Sequence, residues 1–535
     1  MTRRHLLKIL SAFLAVFLLS GCSLFDFGIA NLAATPGPDN QGETPGTAIQ
    51  AAYAVDKLFS LNYDPDQPLN PLSSGSALNL MFAPLIYEDL FTVDENFNAT
   101  PSRLLKSYST DDGKSWRFMI NTDVVMQDGS TLTASDVSYS IRRAMSSALY
   151  KTRLADIYGV SPNDDEGMVL MTLKKPNFLF FQRLDIPIIK DGGIDADIPA
   201  GTGPYVPNAD QTALVLFPQN PNAASMPVDT IYLKSFTSAE DKITAFENSS
   251  IDLVVNDPNG LSNLGYGSAS VVKYFQTLNM QYLGFNTQKS FFMYSTNRAA
   301  ITFAIDRDHI VQDLMGGCGA AATLPMSPVS QYYNQNFANY YSYSLDRCLL
   351  AFKNAGVEDF DGDGKLEQKI TDTPLELNLD FIVNSDSAVK VSAARAIADS
   401  LNSIGLPVTL RELSWGDYTK ALQSGDFDMY YGEVRLTADF DLSALTAKGG
   451  SLNFGGYDDP ACDQQIAAYL GASDTDRQME AEYLCQFFAE NAPIIPIAFA
   501  KQEVITHRGV VTGLTPTQDN IFYGFQNWKI NMNAG

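Results

Sequence analysis

Residues Gln281–Gly316 read QYLGFNTQKSFFMYSTNRAAITFAIDRDHIVQDLMG, and the rest of the chain is interpreted from this stretch. Its first six residues combine aromatic and apolar side chains and end at Asn286, which is typical of a short buried strand. A helix is predicted next, with Thr296 or Asn297 as its cap and apolar residues at helical spacing. A second helix is predicted from Asp306 to the glycine pair that follows it. The stretch therefore predicts a strand that leads into two capped helices.

Two short motifs before this stretch predict turns. In Asp128–Val137, DGSTLTASDV, the Asp-Gly pair forms a tight turn, and Thr133 or Ser135 caps a helix that starts at Asp136. In Gly201–Tyr205, GTGPY, two glycines and a proline predict a sharp connection. A phosphate-binding glycine loop is the alternative, but that loop requires a following Lys-Ser or Lys-Thr and a helix start, and neither follows here.

The motifs resemble, in order and spacing, the extracytoplasmic solute-binding proteins of the oligopeptide and dipeptide class, family 5, which serve ABC importers. The family carries a YLGFN-like strand, an R-x-A-I-x-x-A-I-D-R helix pair, here Arg298–Arg307, an F-x-D-G-x-P-L-T-A-x-D-V run and a G-T-G-P-Y turn. The resemblance implies an α/β fold of the periplasmic-binding-protein type II kind. It also implies two main lobes, an extra smaller domain and a ligand cleft between the lobes.

The resemblance implies boundaries for these parts as well. Crossovers between lobes are expected near Pro199–Tyr205, Met280–Asn286 and Ile495–Phe499. The expected parts are a lipoprotein signal peptide at 1–22, a flexible linker at 23–48, lobe I at 49–70, 200–280 and 497–535, an additional lobe II at 71–199, and lobe III at 281–496.

The N-terminus is interpreted as a targeting segment. Arg3, Arg4 and Lys8 precede the apolar run Ile9–Leu19, which is too short for a confident membrane span. The following tetrapeptide LSGC resembles the bacterial lipobox, which implies that Cys22 is lipidated and anchors the protein to the outer face of the cell membrane. An ordinary signal peptide with an incidental cysteine is the alternative, and the paired arginines leave Sec and twin-arginine export both open.

Length and charge narrow the class of protein. A chain of 535 residues exceeds one hydrophobic core, so two or three lobes are expected. The formal charge of −25 would repel phosphate backbones, which excludes nucleic acid as a partner. We expect a monomer without a cofactor that binds a peptide or other small molecule and docks on the permease subunits of an ABC transporter.

Candidate ligand-binding residues cluster around the strand motif MYYGEVR at 429–435, which combines an acid, a base and aromatic rings suited to a zwitterion. In peptide-binding relatives an acidic residue just after this strand pairs with the α-amino group of the ligand. Asp439 or Asp441 could take that role, although the family wording W-x-x-D-Y-x-D-P is replaced here by VRLTADFDL. The full candidate set is Asn70, Trp415, Tyr431, Glu433, Arg435, Asp439 and Asp441. Ion pairing is the alternative role for the charged members, and core packing is the alternative for the two aromatic ones.

Two other residue groups leave alternatives open. The cysteines after residue 22 are Cys318, Cys348, Cys462 and Cys485, without a C-x-x-C pair, so one or two disulfides or buried free thiols are expected. The acidic run from Asp359 to Glu367 resembles the first positions of a calcium loop. Ile370 stands where such a loop has its last ligand, so a plain acidic turn is favoured over a calcium site.

Two rival functions are weighed against transport. A secreted hydrolase could use paired carboxylates, but the sequence has no G-x-S-x-G turn and only three histidines, too few for a multi-histidine metal site. A receptor that senses a peptide without importing it would look the same in sequence. We therefore expect a binding protein and no enzyme.

Overall fold

A computed structural model describes residues 58–260, 263–266, 270–369 and 373–532, and Leu58–Met532 form one compact unit. The expectations for the signal peptide, for Cys22 and for the linker lie outside these described residues. Among the helices in the described ranges, none combines the length and the apolar composition needed to cross a bilayer.

The described strands are numbered in chain order. They are β1 Ser60–Asn62, β2 Phe91–Val93, β3 Ala99–Pro101, β4 Leu105–Thr110, β5 Ser115–Ile120, β6 Ile157–Asn163, β7 Met168–Leu173, β8 Tyr205–Pro207, β9 Ala213–Leu216, β10 Thr230–Lys234, β11 Leu253–Asn256, β12 Ser270–Phe285, β13 Gly319–Ala321, β14 Val357–Glu358, β15 Glu367–Gln368, β16 Leu375–Glu376, β17 Leu379–Asn384, β18 Val408–Leu413, β19 Met429–Arg435, β20 Ile494–His507, β21 Val511–Thr512 and β22 Lys529–Ile530.

The described α-helices are numbered in the same way. They are α1 Ala77–Leu80, α2 Ala83–Ile86, α3 Ala134–Ala144, α4 Ala239–Glu247, α5 Ser295–Ile301, α6 Arg307–His309, α7 Gln335–Tyr340, α8 Leu345–Asn354, α9 Ala388–Ser403, α10 Trp415–Ser424, α11 Ser443–Thr446, α12 Pro460–Gly471 and α13 Arg477–Asn491.

One large mixed sheet runs through the molecule. Its strands lie in the order β18-β17-β19-β12-β20-β11-β1-β10-β9-β8, and β13 pairs with β20 beside this path. β17 pairs parallel with β18 and β19, and β1 pairs parallel with β10 and β11, as the alternation of helices and strands in the sequence predicts. The predicted α/β class of fold is confirmed.

Two long strands connect the halves of this sheet. β12 has 16 residues and β20 has 14, and they pair antiparallel from Ser270 opposite His507 to Gly284 opposite Ile494. Their register shifts between Gln276 and Met280, and such an irregularity bends and twists a strand. Two of the crossovers expected from sequence thus lie on adjacent strands of one sheet. The boundaries of the lobes stay a prediction.

A second sheet lies within the segment assigned to lobe II. It has four strands in the order β4-β5-β7-β6, and helix α3 packs against β6 and β7. Thr133 caps this helix, because its side chain accepts a hydrogen bond from Asp136 N while Asp136 bonds back to Thr133 N. The cap is one of the two predicted from sequence.

The opening stretch folds much as predicted, with one correction. β12 supplies the strand, and Asp306 caps α6 by accepting from His309 N. The predicted second helix continues beyond α6 as a π-helix at Ile310–Leu314, and Gly316 and Gly317 after it have φ of +60° and +77°. The cap of α5 was predicted wrongly, since the helix begins after Tyr294 without a side-chain cap. Asn297 lies inside the helix and donates to Phe291 O instead.

The cysteines and the acidic turn are also placed. Cys318, Cys348, Cys462 and Cys485 are buried free thiols, which is one of the two alternatives expected from the sequence. In the turn, ligand atoms of Asp359, Asp361, Asp363 and Glu367 lie within 4.8 Å of one another. Ile370 lies outside the described residues. The acidic turn and the calcium loop both remain open interpretations.

Candidate functional site

A cavity of about 1180 Å³ lies where three parts of the chain meet. One wall comes from 77–84, 149–156 and 182–187, a second from 251–257, and a third from 434–452. The volume is above the range of about 300–1,000 Å³ that is usual for small-molecule sites. The cavity therefore has room for a ligand larger than a single small metabolite.

The lining is apolar in part and polar in part. Met81, Phe275 and Leu445 contribute apolar surface, whereas Gln182 and Gln518 contribute amides. Such a mixture is typical of ligand sites, because apolar groups supply binding energy and a few polar groups fix orientation.

Charged side chains of both signs face this cavity. Its lining contains six carboxylates and five cationic groups, which are Asp89, Asp156, Asp185, Asp257, Asp441 and Asp519 with Arg153, Lys174, Arg183, Lys242 and Arg435. A cavity lined by both positive and negative groups suits a ligand that itself carries both positive and negative charges.

Arg183 organises one end of the cavity. Its side chain is 4% exposed, and its Nε lies 2.6 Å from Asp439 Oδ2 while its Nη2 lies 2.7 Å from Asp441 Oδ2. A third contact, of 3.1 Å, joins its Nη1 to Asp156 Oδ2. Burial alone would lower the pKa of Arg183, but the carboxylates raise it above its ordinary value.

The two aspartates after β19 differ in their access to the cavity. Asp439 is fully buried, also accepts from Asn177 Nδ2 at 2.8 Å, and does not belong to the lining. Asp441 lines the cavity, and its Oδ1 accepts from Ser443 N at 2.9 Å. Burial opposes ionisation of Asp441, but Arg183 outweighs burial and holds its pKa below the usual range. Both carboxylates therefore have partners within the protein.

A second charged group also lines the cavity. Arg153 pairs with Asp185 and also donates from Nε to Arg183 O at 3.0 Å. Asp89 faces the cavity nearby, while its neighbour Glu88 is turned away and holds Arg103. Burial raises the pKa of Asp89 to about 8, although Arg153 acts in the opposite direction.

Among the predicted site residues, Arg435 and Asp441 lie on the cavity. Arg435 forms an ion pair with Asp519, which also lines the cavity. Glu433 is outside the lining and pairs with Lys390, with Nζ 3.0 Å from Oε2. The structure thus brings two of the predicted charges together in one place.

The other predicted residues lie elsewhere. Asn70 is buried and donates from Nδ2 to Ile194 O at 2.9 Å and to Ala196 O at 3.0 Å. Tyr431 is buried in the core and donates from its hydroxyl to Gln281 Oε1 at 2.6 Å. Trp415 is 59% exposed at the start of α10. For all of these, a ligand role stays a prediction.

Sequence reasoning missed Asp89, Arg153, Arg183 and Asp519. The arginines and Asp519 carry no local signal, because their partners lie far away in the chain. Asp89 did leave a signal, since the run IYEDLF at 86–91 places two successive carboxylates among apolar and aromatic residues. A charge in such a run must face water, a ligand or a partner.

Comparisons with known proteins agree with this architecture. The sequence model described as "Bacterial extracellular solute-binding proteins, family 5 Middle" matches residues 101–451. The oligopeptide-binding protein AppA of Bacillus subtilis is 22% identical over 510 residues, which cover 90% of this chain and 90% of AppA. The nickel-binding periplasmic protein of Escherichia coli is 22% identical over 82% of this chain and 88% of its own length.

The solved structure of AppA from Bacillus subtilis in complex with a nonapeptide has a similar fold. It matches with a TM-score of 0.61 at 20% identity, and the match covers 88% of this chain and 98% of AppA. This likeness confirms the predicted fold of the periplasmic-binding-protein type II kind. Because the family match spans well over half of the sequence, the chain belongs to the family 5 extracellular solute-binding proteins, which capture solutes for ABC importers.

Proposed function

We propose that this protein captures peptides outside the cell and delivers them to an ABC importer. The observation that carries the proposal is the cavity of about 1180 Å³, which has apolar surface and charges of both signs on its walls. A short peptide carries an ammonium group, a carboxylate and apolar side chains, so it matches all three features. The relation to AppA, whose structure holds a nonapeptide, supports the same ligand class.

A nickel ligand is the second candidate, because nickel-binding proteins are among the relatives. Nickel in proteins favours imidazole and other nitrogen or sulfur donors. In the described part of the chain, neither a histidine nor a cysteine belongs to the cavity lining. A peptide is therefore favoured over a metal ion. Sensing of a peptide without import is the remaining alternative, and it differs in partner rather than in ligand.

The same proposal includes a lipid anchor and the lack of catalysis. The sequence LSGC before residue 23 supports lipidation of Cys22 and attachment to the outer face of the membrane. Family membership supports a role in binding rather than in chemistry. Of the described histidines, His309 is bonded to Asp313 and His507 is buried, and neither lines the cavity.

The proposal is tested by thermal unfolding of the purified protein with pools of short peptides. A ligand that binds the folded state raises the melting temperature by mass action, and the peptides should be recovered unchanged by mass spectrometry. Ala444→Trp, which puts an indole into the cavity lining, should abolish the shift, whereas Ala467→Trp on the exposed face of α12 should preserve it. Absence of any shift, or cleavage of the peptides, would contradict the proposed function.

A further inference from the structure

Ion pairs and hydrogen bonds with the described part of the chain engage every carboxylate of the cavity lining except one. Asp156 and Asp441 contact Arg183, Asp185 contacts Arg153, and Asp519 contacts Arg435. The fifth carboxylate, Asp257, accepts hydrogen bonds from Asn259 N and Gln502 Nε2. Within the described part of the chain, the carboxylate of Asp89 has neither an ion pair nor a hydrogen bond.

The position of Asp89 is fixed by its backbone. Its carbonyl accepts from Ser102 Oγ at 2.5 Å, and the residue forms an isolated antiparallel bridge with Pro187. Glu88 on the opposite side is held by both nitrogens of Arg103, at 2.8 and 2.7 Å. Neighbouring side chains here point to opposite sides of the backbone. With Glu88 held on one side, the side chain of Asp89 faces the cavity on the other.

The charges around Asp89 do not compensate it. Arg153 is the cation that acts to lower the pKa of Asp89, but it is already paired with Asp185. Glu88 and Asp519 add negative potential, and Tyr150 also interacts with Asp89. An isolated ionised carboxylate in such a place is costly unless an opposite charge meets it.

We propose that Asp89 anchors a cationic group of the bound peptide, an ammonium or a guanidinium, by a charge-assisted hydrogen bond. This assignment rests on the proposed function and deepens it by naming the charge that the cavity selects. The pKa of Asp89, which burial raises to about 8, agrees with the geometry, because a carboxyl group of that pKa holds a proton near neutral pH that a cation bound to it would displace.

The test uses isothermal titration calorimetry with two matched pairs of probes. Ala-Ala-Ala is compared with its N-acetyl form, and N-acetyl-Ala-Arg-Ala with the citrulline peptide N-acetyl-Ala-Cit-Ala, which has the same shape without the charge. In at least one pair the charged probe should bind the native protein at least about 10-fold tighter, the scale of one unit of pKa. The pair that shows the preference tells whether the ammonium or the guanidinium is held.

Asp89→Asn supplies the decisive variant, because it keeps the shape and removes the ionisable group. The preference for the charged probe should fall below about 3-fold in this variant, as expected when a charge pair is lost. It should be unchanged in Asp165→Asn, whose side chain is exposed on a turn away from the cavity.

A proton balance separates a ligand role from a structural one. Below about pH 8, the charged probe of the pair that shows the preference should release a proton as it binds, and its affinity should improve up to about 10-fold per pH unit and then level off. Neither effect should occur in Asp89→Asn. Equal binding of charged and neutral probes, or an undiminished preference in Asp89→Asn, would overturn the proposal. Failure of all four peptides to bind would instead refute the proposed function and this inference with it.

Discussion

Arg183 Nε lies 2.6 Å from Asp439 Oδ2, and both groups are buried. The contact joins the segment 71–199 to the chain that follows β19, so it links two of the lobes expected from sequence. It also shows why Asp439 has little room for a ligand ammonium, since a guanidinium of the protein already occupies that place.

Asp439→Ala should destabilise the fold. Removal of one partner from a buried ion pair costs about 3–5 kcal/mol, because the other charge is left without compensation. The free energy of unfolding from urea titrations measures this loss. Asp165→Ala, an exposed change of the same type, should stay within about 0.5 kcal/mol. If Asp439→Ala lost no more free energy of unfolding than Asp165→Ala, the buried ion pair would contribute nothing to stability.

Asp89→Asn should stabilise the protein at neutral pH. The pKa of Asp89 is about 8 in the folded protein and 3.8 ordinarily, so the folded state keeps a proton that the unfolded state releases. Asp89 therefore lowers the free energy of unfolding of the native protein as the pH rises between these two pKa values, by up to about 1.4 kcal/mol per pH unit. The free energy of unfolding of Asp89→Asn should exceed that of the native protein by an amount that grows between about pH 4 and pH 8.

Urea titrations at several pH values measure this gain. The two proteins should have equal free energies of unfolding near pH 4, and the gap should widen toward pH 8 and then stay constant. A pH-independent difference would indicate that Asp89 acts through packing rather than through its charge.

Gly203→Ala should disturb the turn after residue 200. A Cβ at this position would lie 2.5 Å from the carbonyl carbon of Ile86, and the backbone there cannot yield easily. Forced overpacking of this kind costs about 1–3 kcal/mol. Gly416→Ala in α10, where a Cβ meets nothing within 4 Å, should instead be neutral or slightly stabilising by thermal unfolding. An unchanged melting temperature for Gly203→Ala would remove the steric reason for the glycine.

The buried thiols should be unreactive in the folded protein. Burial raises the pKa of Cys348, Cys462 and Cys485 to about 12, and the thiolate is the reactive form. Ellman's reagent should therefore react slowly before unfolding, and first with Cys318, which is 7% exposed. After unfolding, the four cysteines should react fully without a reductant. Fewer reactive thiols would reveal a disulfide.

Local signals predicted the local features of this fold. Thr133 and Asp306 cap helices because the partners of their side chains lie three residues away in the chain. The prediction that Asn297 caps α5 was wrong, because its side-chain amide donates to Phe291 O rather than bonding to the start of the helix. Caps are predictable when the competing partner is not also local.

The cavity was harder to predict, because the charged side chains that contact one another there belong to residues far apart in the sequence. Arg435 and Asp441 were found from the strand motif, but their partners Asp519 and Arg183 carry no sequence signal that connects them. Asp439 lies two residues from Asp441, yet it faces the protein interior. Which of two nearby carboxylates reaches a cavity is decided by tertiary packing, which a single sequence does not reveal.

Native mass spectrometry of the purified protein tests the central claim most directly. A peptide held in the cavity should appear as a defined mass increment that denaturation releases intact, and the increment should be absent from Ala444→Trp but present in Ala467→Trp. An increment that is a metal ion or another non-peptide solute, or one that persists in Ala444→Trp, would contradict peptide capture in this cavity.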